Sequence, residues 1–157
     1  MAHETDRDYR TVQRFEMRIE RVRVCDPGSP YGTTIRAPED LESIARQLIG
    51  DQAQEVFLAF YLDVRSRLVG YTEVGRGGPS SCQVDLRVLF RNALAVTAEG
   101  VIVSHNHPSG DPNPSAEDRA LTARILEAAE LLGLRLLDHI IVTDGPSFSF
   151  AKHNILT

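Results

Sequence analysis

The segment Val101–Asp118 reads VIVSHNHPSGDPNPSAED. An apolar run ends in two histidines one residue apart. A loop of Pro, Gly, Ser and Asp then leads into Ser115-Ala116-Glu117-Asp118. In an extended chain residues i and i+2 project to the same side, so His105 and His107 can present two imidazoles to one point. Pro108 favours that geometry, because the residue before a proline is pushed toward the β region. Two imidazoles at a strand end suit Zn2+, which takes His nitrogens at about 2.0–2.1 Å and wants three or four protein ligands. Asp118 is the candidate third ligand. Ser115 reads as a helix N-cap with Asp118 at the third helical position, the capping-box spacing. The helix that follows has an apolar stripe of Leu121, Ile125, Ala128 and Leu132, and Asp118 falls on its side. A carboxylate there must be paired, and a metal ion would pair it.

Each feature alone has a plainer explanation. H-x-H is a common pair, and an Asp in the first helical turn answers the helix dipole. Their combination, joined by a loop able to fold one onto the other, points to a metal centre. The remaining histidines lack such partners. His139 follows Asp138 inside an apolar strand and reads as structural, whereas His3 and His153 lie near the termini and read as solvated.

The elements that must position these residues follow from periodicity. Residues 1–14 are polar and read as a loosely held tail, with a single domain over 15–157. FEMRIERVRVC (15–25) alternates like a strand whose phase breaks near Glu20–Arg21, as a bulge would cause. Ala37-Pro38-Glu39-Asp40 opens a helix carrying Leu41, Ile44, Ala45 and Leu48, ended by Gly50. VFLAFYLD after Glu55 is a strand buried on both faces, and LVGYTEVG returns beside it after a turn at Ser66–Arg67. A helix is predicted from Asp85 to Thr97, with Leu86, Leu89, Phe90, Ala93 and Leu94 on one side. Val101–Ser104 is a short central strand, and Ser115–Leu132 is the longest helix, stopped by Gly133. Leu134–Thr143 and Phe148–Ala151 are the last strands, turning at Asp144-Gly145-Pro146. The order β-α-β-β-α-β-α-β-β predicts an α/β fold: one mixed sheet with flanking helices.

Composition narrows the function classes. The chain has 157 residues, 42% hydrophobic and 25% charged, which is ordinary for a globular domain large enough to bury a core. No apolar run approaches the ~20 residues of a membrane span, and MAHETDRDYRTVQRF contains no apolar segment resembling a signal peptide. Cys25 and Cys82 read as reduced thiols of a cytoplasmic protein, too few and too far apart for a cysteine metal knuckle. The net charge is −5, with 22 acids against 17 bases. Nucleic-acid binders rely on a basic stripe, and the nearest thing here, Arg18, Arg21 and Arg23, is diluted by Glu16 and Glu20.

HNHPSGDPNPSAED matches H-x-H-P-x6-S-x2-D at every fixed position (His105, His107, Pro108, Ser115 and Asp118), and so resembles the JAMM (MPN-type) metalloproteases. The HNHPSGDP wording is similar to the bacterial RadC-like branch, and the likeness runs from about Ile44 to Phe150, including the LLGLRLLDHIIV segment. The resemblance implies a mixed-sheet fold similar to cytidine deaminases. It also implies zinc on His105, His107 and Asp118, a water in the open fourth position, and hydrolysis of a peptide or isopeptide bond. It further implies that Ser115 helps stabilise the oxyanion and that a Glu at the start of an apolar strand is the general base. Glu55 is the matching position, Glu73 in the neighbouring strand is the rival, and Glu99 lies too near the end of its helix.

Full-length RadC-like proteins usually carry a helix-hairpin-helix module of DNA-binding type before this domain; the residues up to Ile35 read as too few and too strand-like to hold it, so the resemblance does not carry a DNA-repair role to this sequence. Two other readings accompany the hydrolase: a scaffold module that keeps the metal for structure, and a metal-dependent phosphoesterase or nuclease, which would need more His or carboxylate ligands. A deaminase would need a P-C-x-x-C pair that Cys25 and Cys82 cannot make.

Overall fold

VFLAFYL, GVIVSHN and RLLDHIIV form the middle of one sheet. The computed structural model describes residues 30, 32–77 and 83–156. Its elements in chain order are α1 (Pro38–Ile49), β1 (Glu55–Leu62), β2 (Leu68–Gly77), α2 (Leu86–Ala95), β3 (Gly100–Asn106), α3 (Ala116–Leu131), β4 (Arg135–Val142) and β5 (Ser147–Ser149). The sheet order is β2-β1-β3-β4-β5. β1 pairs antiparallel with both β2 and β3, β3 pairs parallel with β4 across the α3 crossover, and β5 folds back on β4. This is the mixed α/β sheet with flanking helices that the sequence predicts. The tail, the strand predicted over 15–25 with its three arginines, His3, Cys25 and Cys82 lie outside the described residues. No helix among the described residues is long and apolar enough to cross a membrane.

Both faces of β1 are buried, as a strand with covered faces requires. On one side Val56, Leu58, Phe60 and Leu62 pack with Ile102, Ile140 and Val142 against Leu41, Ala45 and Ile49 of α1. On the other, Phe57, Ala59, Tyr61, Val101 and Val103 pack against Leu89, Phe90 and Ala93 of α2 and against Ile125 and Ala129 of α3. His105 continues the alternation of Val101 and Val103, so its ring faces α3.

Three local expectations are corrected. β3 runs on through Ser104, His105 and Asn106, because the ladders to β1 and β4 continue after the apolar residues stop. The buried stripe of α3 is Thr122, Ile125 and Ala129, whereas Leu121 and Ala128 are only partly buried and Leu132 is exposed. Asp118 lies one turn before Thr122 on this stripe. Gly50 caps α1 in a right-handed conformation (φ −63°) and not the left-handed one typical of a terminal glycine, while Gly133 does take the left-handed form after α3 (φ 70°).

Candidate metal centre

The site assembles where β3 ends and α3 begins. His105 is the sixth residue of β3, stacked on Phe57, its partner across the β1 ladder (ring centroids 5.4 Å apart). His107 follows immediately, still tethered to the sheet by its N–H to Val142 O (2.9 Å). Gly110, at φ 81°, turns the loop where a side chain would be strained. Ser115 then caps α3: its Oγ accepts from Asp118 N (3.1 Å), and the Asp118 carboxylate reaches back to Ser115 N (2.8 Å) and Ser115 Oγ (2.7 Å). That reciprocal box fixes the Asp118 rotamer. Asp118 Oδ1 lies 3.1 Å from His105 Nε2 and Oδ2 lies 3.5 Å from His107 Nε2, while the two Nε2 atoms are 2.9 Å apart.

The protons of this triangle can be assigned. His107 Nδ1 is 2.7 Å from Asp111 O. A carbonyl only accepts, so Nδ1 carries the hydrogen and a neutral His107 leaves its Nε2 as a lone pair. On its far side His105 Nδ1 lies 2.8 Å from His139 Nε2, a contact in which either ring can donate according to its tautomer. With His105 donating through Nδ1, two imidazole lone pairs and a carboxylate converge, an arrangement that a cation satisfies. Two donors about 2.0–2.1 Å from one tetrahedral zinc would be roughly 3.3 Å apart, close to the spacing seen. His105, His107 and Asp118 offer donor atoms all within 4.8 Å of one another, a group able to hold a metal ion. Two nitrogens and one oxygen make a borderline-soft set that suits zinc and neighbouring divalent ions.

The electrostatics agree. Burial pushes the Asp118 carboxyl up, but the His105 and His107 imidazoles, when protonated toward it, and the Ser115 hydroxyl outweigh that and hold the carboxyl well below the usual carboxylate range. Contact with Asp118 raises the His107 imidazole against the opposing effect of burial, and the charge of Glu55 adds to the rise.

Glu55 opens β1. Since Phe57 stands opposite His105 in an antiparallel ladder, Glu55 falls opposite the His107 position. It lines the same open groove, about 1030 Å³, as His105, His107, Ser115 and Asp118. Glu73 sits elsewhere: its carboxylate is forked by Arg76 (2.8 Å) beside α1 residues Leu48 and Ile49. Glu99 lies at the far end of β3, its N–H bonded to Leu62 O.

Four residues around the site escape sequence reasoning. Asn106, between the two histidines, accepts from Val56 N (2.7 Å) and donates to Gln52 O and Gln54 O (3.0 Å each), clamping the backbone on both sides of Glu55. Asp111 contributes its carbonyl to His107. His139 reads from sequence as a structural residue without partners in the site, yet it lies fully buried against His105, stacked on Phe150 and edged by Phe57. Thr122 bridges His139 Nδ1 and Asp118 O, at 2.6 Å each. The available signal was a polar residue inside an apolar pattern, at Thr122 and at His139. His153, read as solvated, is exposed but partnered, stacking on Phe148 with its Nδ1 2.8 Å from Ser149 O.

Comparison with known proteins agrees with this arrangement. The family model described as "RadC-like JAB domain" matches residues 35–155. A UPF0758 protein of Halorhodospira halophila is 44% identical over 125 residues, covering 80% of this chain and 56% of that protein. One from Burkholderia cenocepacia is 45% identical over 118 residues, covering 75% and 46%. A third, from Xanthomonas euvesicatoria, is 40% identical over 125 residues, covering 80% and 56%. The chain spans about half the length of these relatives. With the sheet, the capped helix and the His-His-Asp triangle in the matched region, the chain belongs to the RadC-like family of the JAB/MPN superfamily.

Proposed function

We propose that this domain is a zinc-dependent amide hydrolase, a metallopeptidase or isopeptidase, with His105, His107 and Asp118 as the metal ligands. The observation that carries the reading is the convergence of His105 Nε2, His107 Nε2 and the Asp118 carboxylate on one point at the groove. When bound, zinc acidifies a water toward neutral pH and polarises the scissile carbonyl. Glu55 is the general base: from the groove wall its carboxylate takes a proton from the attacking water and returns it to the departing amine nitrogen. Ser115 donates to the developing oxyanion. Its hydroxyl hydrogen is given to Asp118 Oδ2 in the metal-free geometry, so that role requires the hydroxyl to rotate toward the substrate. Burial of His105 and of the neighbouring strand limits water to the groove side of the site.

The test is a hydrolysis screen on peptide and isopeptide libraries with zinc-loaded and chelator-treated protein. Cleavage that vanishes on chelation, and in a Glu55→Gln protein that still holds zinc, supports the proposal. Cleavage that survives chelation, or a zinc-loaded protein inert on both libraries, contradicts it.

A further inference from the structure

The hydrogen bonds behind His105 run in one direction only. Thr122 has a single hydroxyl hydrogen and two neighbours at 2.6 Å, Asp118 O and His139 Nδ1. The carbonyl can only accept, so the hydroxyl hydrogen goes there, and Thr122 Oγ1 must accept from His139 Nδ1–H. An imidazole without solvent access, stacked on Phe150 (centroids 4.7 Å) and edged by Phe57 (5.3 Å), holds one proton and not two. His139 Nε2 is therefore a lone pair and accepts from His105 Nδ1–H. That leaves Nε2 of a neutral His105 bare, facing His107 and Asp118.

We infer that Thr122 and His139 are positioning residues for the metal site: a one-way hydrogen-bond relay, anchored on the backbone carbonyl of Asp118, that holds His105 in the tautomer able to bind a metal through Nε2. The relay begins at one ligand and ends on the backbone of another, so it also ties β3, β4 and the first turn of α3 together at the site. Partners that fix a ligand histidine's tautomer typically matter about ten- to hundredfold in metal affinity.

The inference rests on the metal-site reading, but its first test does not. In metal-free protein, long-range proton–nitrogen NMR correlations of the imidazoles read the tautomers directly. His139 should carry its hydrogen on Nδ1. A His139 protonated on Nε2 reverses the relay and overturns the inference, whether or not zinc binds.

The second test uses Thr122→Val, which keeps the shape and removes the hydroxyl, beside Thr122→Ser, which keeps the hydroxyl. Zinc affinity is measured by competition with a chelator, and stability by melting the metal-free proteins. Thr122→Val should bind zinc about ten- to hundredfold more weakly and release His139 from the Nδ1–H tautomer, while Thr122→Ser stays close to wild type in both readouts. A purely structural role for Thr122 would lower the melting temperature while leaving tautomer and affinity unchanged, and that result overturns the inference. If wild type itself takes up no zinc, the proposed function fails, and the His139 tautomer still decides the relay.

Discussion

Replacing Asp118 with alanine separates its two roles, as ligand and as helix-start residue. In metal-free protein the main hydrogen bonds lost are those at the start of α3. The carboxylate's bonds to Ser115 N and Oγ disappear, but Ser115 Oγ remains to cap the backbone N–H of residue 118. The favourable charge at the helix N-terminus is also lost, a contribution of about 0.3–1 kcal/mol. Together these should cost about 1 kcal/mol, or a melting temperature roughly 3 °C lower for a chain of this size. Zinc changes the comparison. At a free concentration about one hundred times the dissociation constant, binding stabilises wild type by about 2.7 kcal/mol, close to 8 °C. If loss of one of three ligands weakens binding about a hundredfold, the same zinc stabilises the variant by only about 0.4 kcal/mol, near 1 °C. The assay is four melts, each protein with chelator and with zinc. Equal gains from zinc would mean that Asp118 only starts a helix and that the metal binds elsewhere. A metal-free variant more stable than wild type would mean that Ser115 N–H and Oγ–H do not offset the cost of holding this carboxylate beside two imidazoles.

Three further outcomes follow from named contacts. Glu55→Gln should keep zinc and lose hydrolysis, whereas Glu73→Gln, which removes only a charge forked by Arg76 away from the groove, should keep most of it; the reverse pattern in a turnover assay would move the base to Glu73. Asn106→Leu should cost about 3 kcal/mol or more in denaturant unfolding, because Val56 N and two carbonyls lose buried partners; a loss under about 1 kcal/mol would show that water replaces the amide. Burial pushes the Asp138 carboxyl up despite opposing bonds from Ser149, Ala151 and His139 N–H. A raised folded-state value favours the folded protein below the unfolded pKa of about 3.9, and that advantage is lost as pH rises through the folded value. Asp138→Asn, which cannot ionise, should therefore gain on wild type in melts as pH rises from about 4 toward 7, and a loss over that window would mean the hydrogen bonds outweigh burial.

Most of the sheet is legible because its strands carry apolar runs that have no helical period, and because punctuation by Asp85, Ser115 and Gly133 marks the helix ends. The His-His-Asp grouping is legible because strand parity and a capping box are local rules. What escapes is three-dimensional pairing. β3 outlasts its apolar residues, since a ladder needs only backbone groups and its polar end is buried by the loop and α3. The α3 stripe is misread because Leu131 and Leu132 point to solvent at 88% and 42% exposure, while a threonine takes the inward position. Thr122 is inward because its hydroxyl has a histidine to meet, and His139 stands beside His105 only after β3 and β4 pair across a crossover. No spacing in the sequence announces that contact. Asn106 is hidden likewise: its three partners lie some fifty residues earlier.

The proposed site holds one metal ion among His105 Nε2, His107 Nε2 and Asp118. A crystal of protein purified without chelator, then supplied with one equivalent of zinc, tests it through anomalous differences collected on both sides of the zinc edge. A single strong peak bounded by those three side chains is expected, with the remaining coordination position open toward the groove and Glu55. A peak at another group of residues, or none at this site while His105 and His107 face each other unchanged, would contradict it.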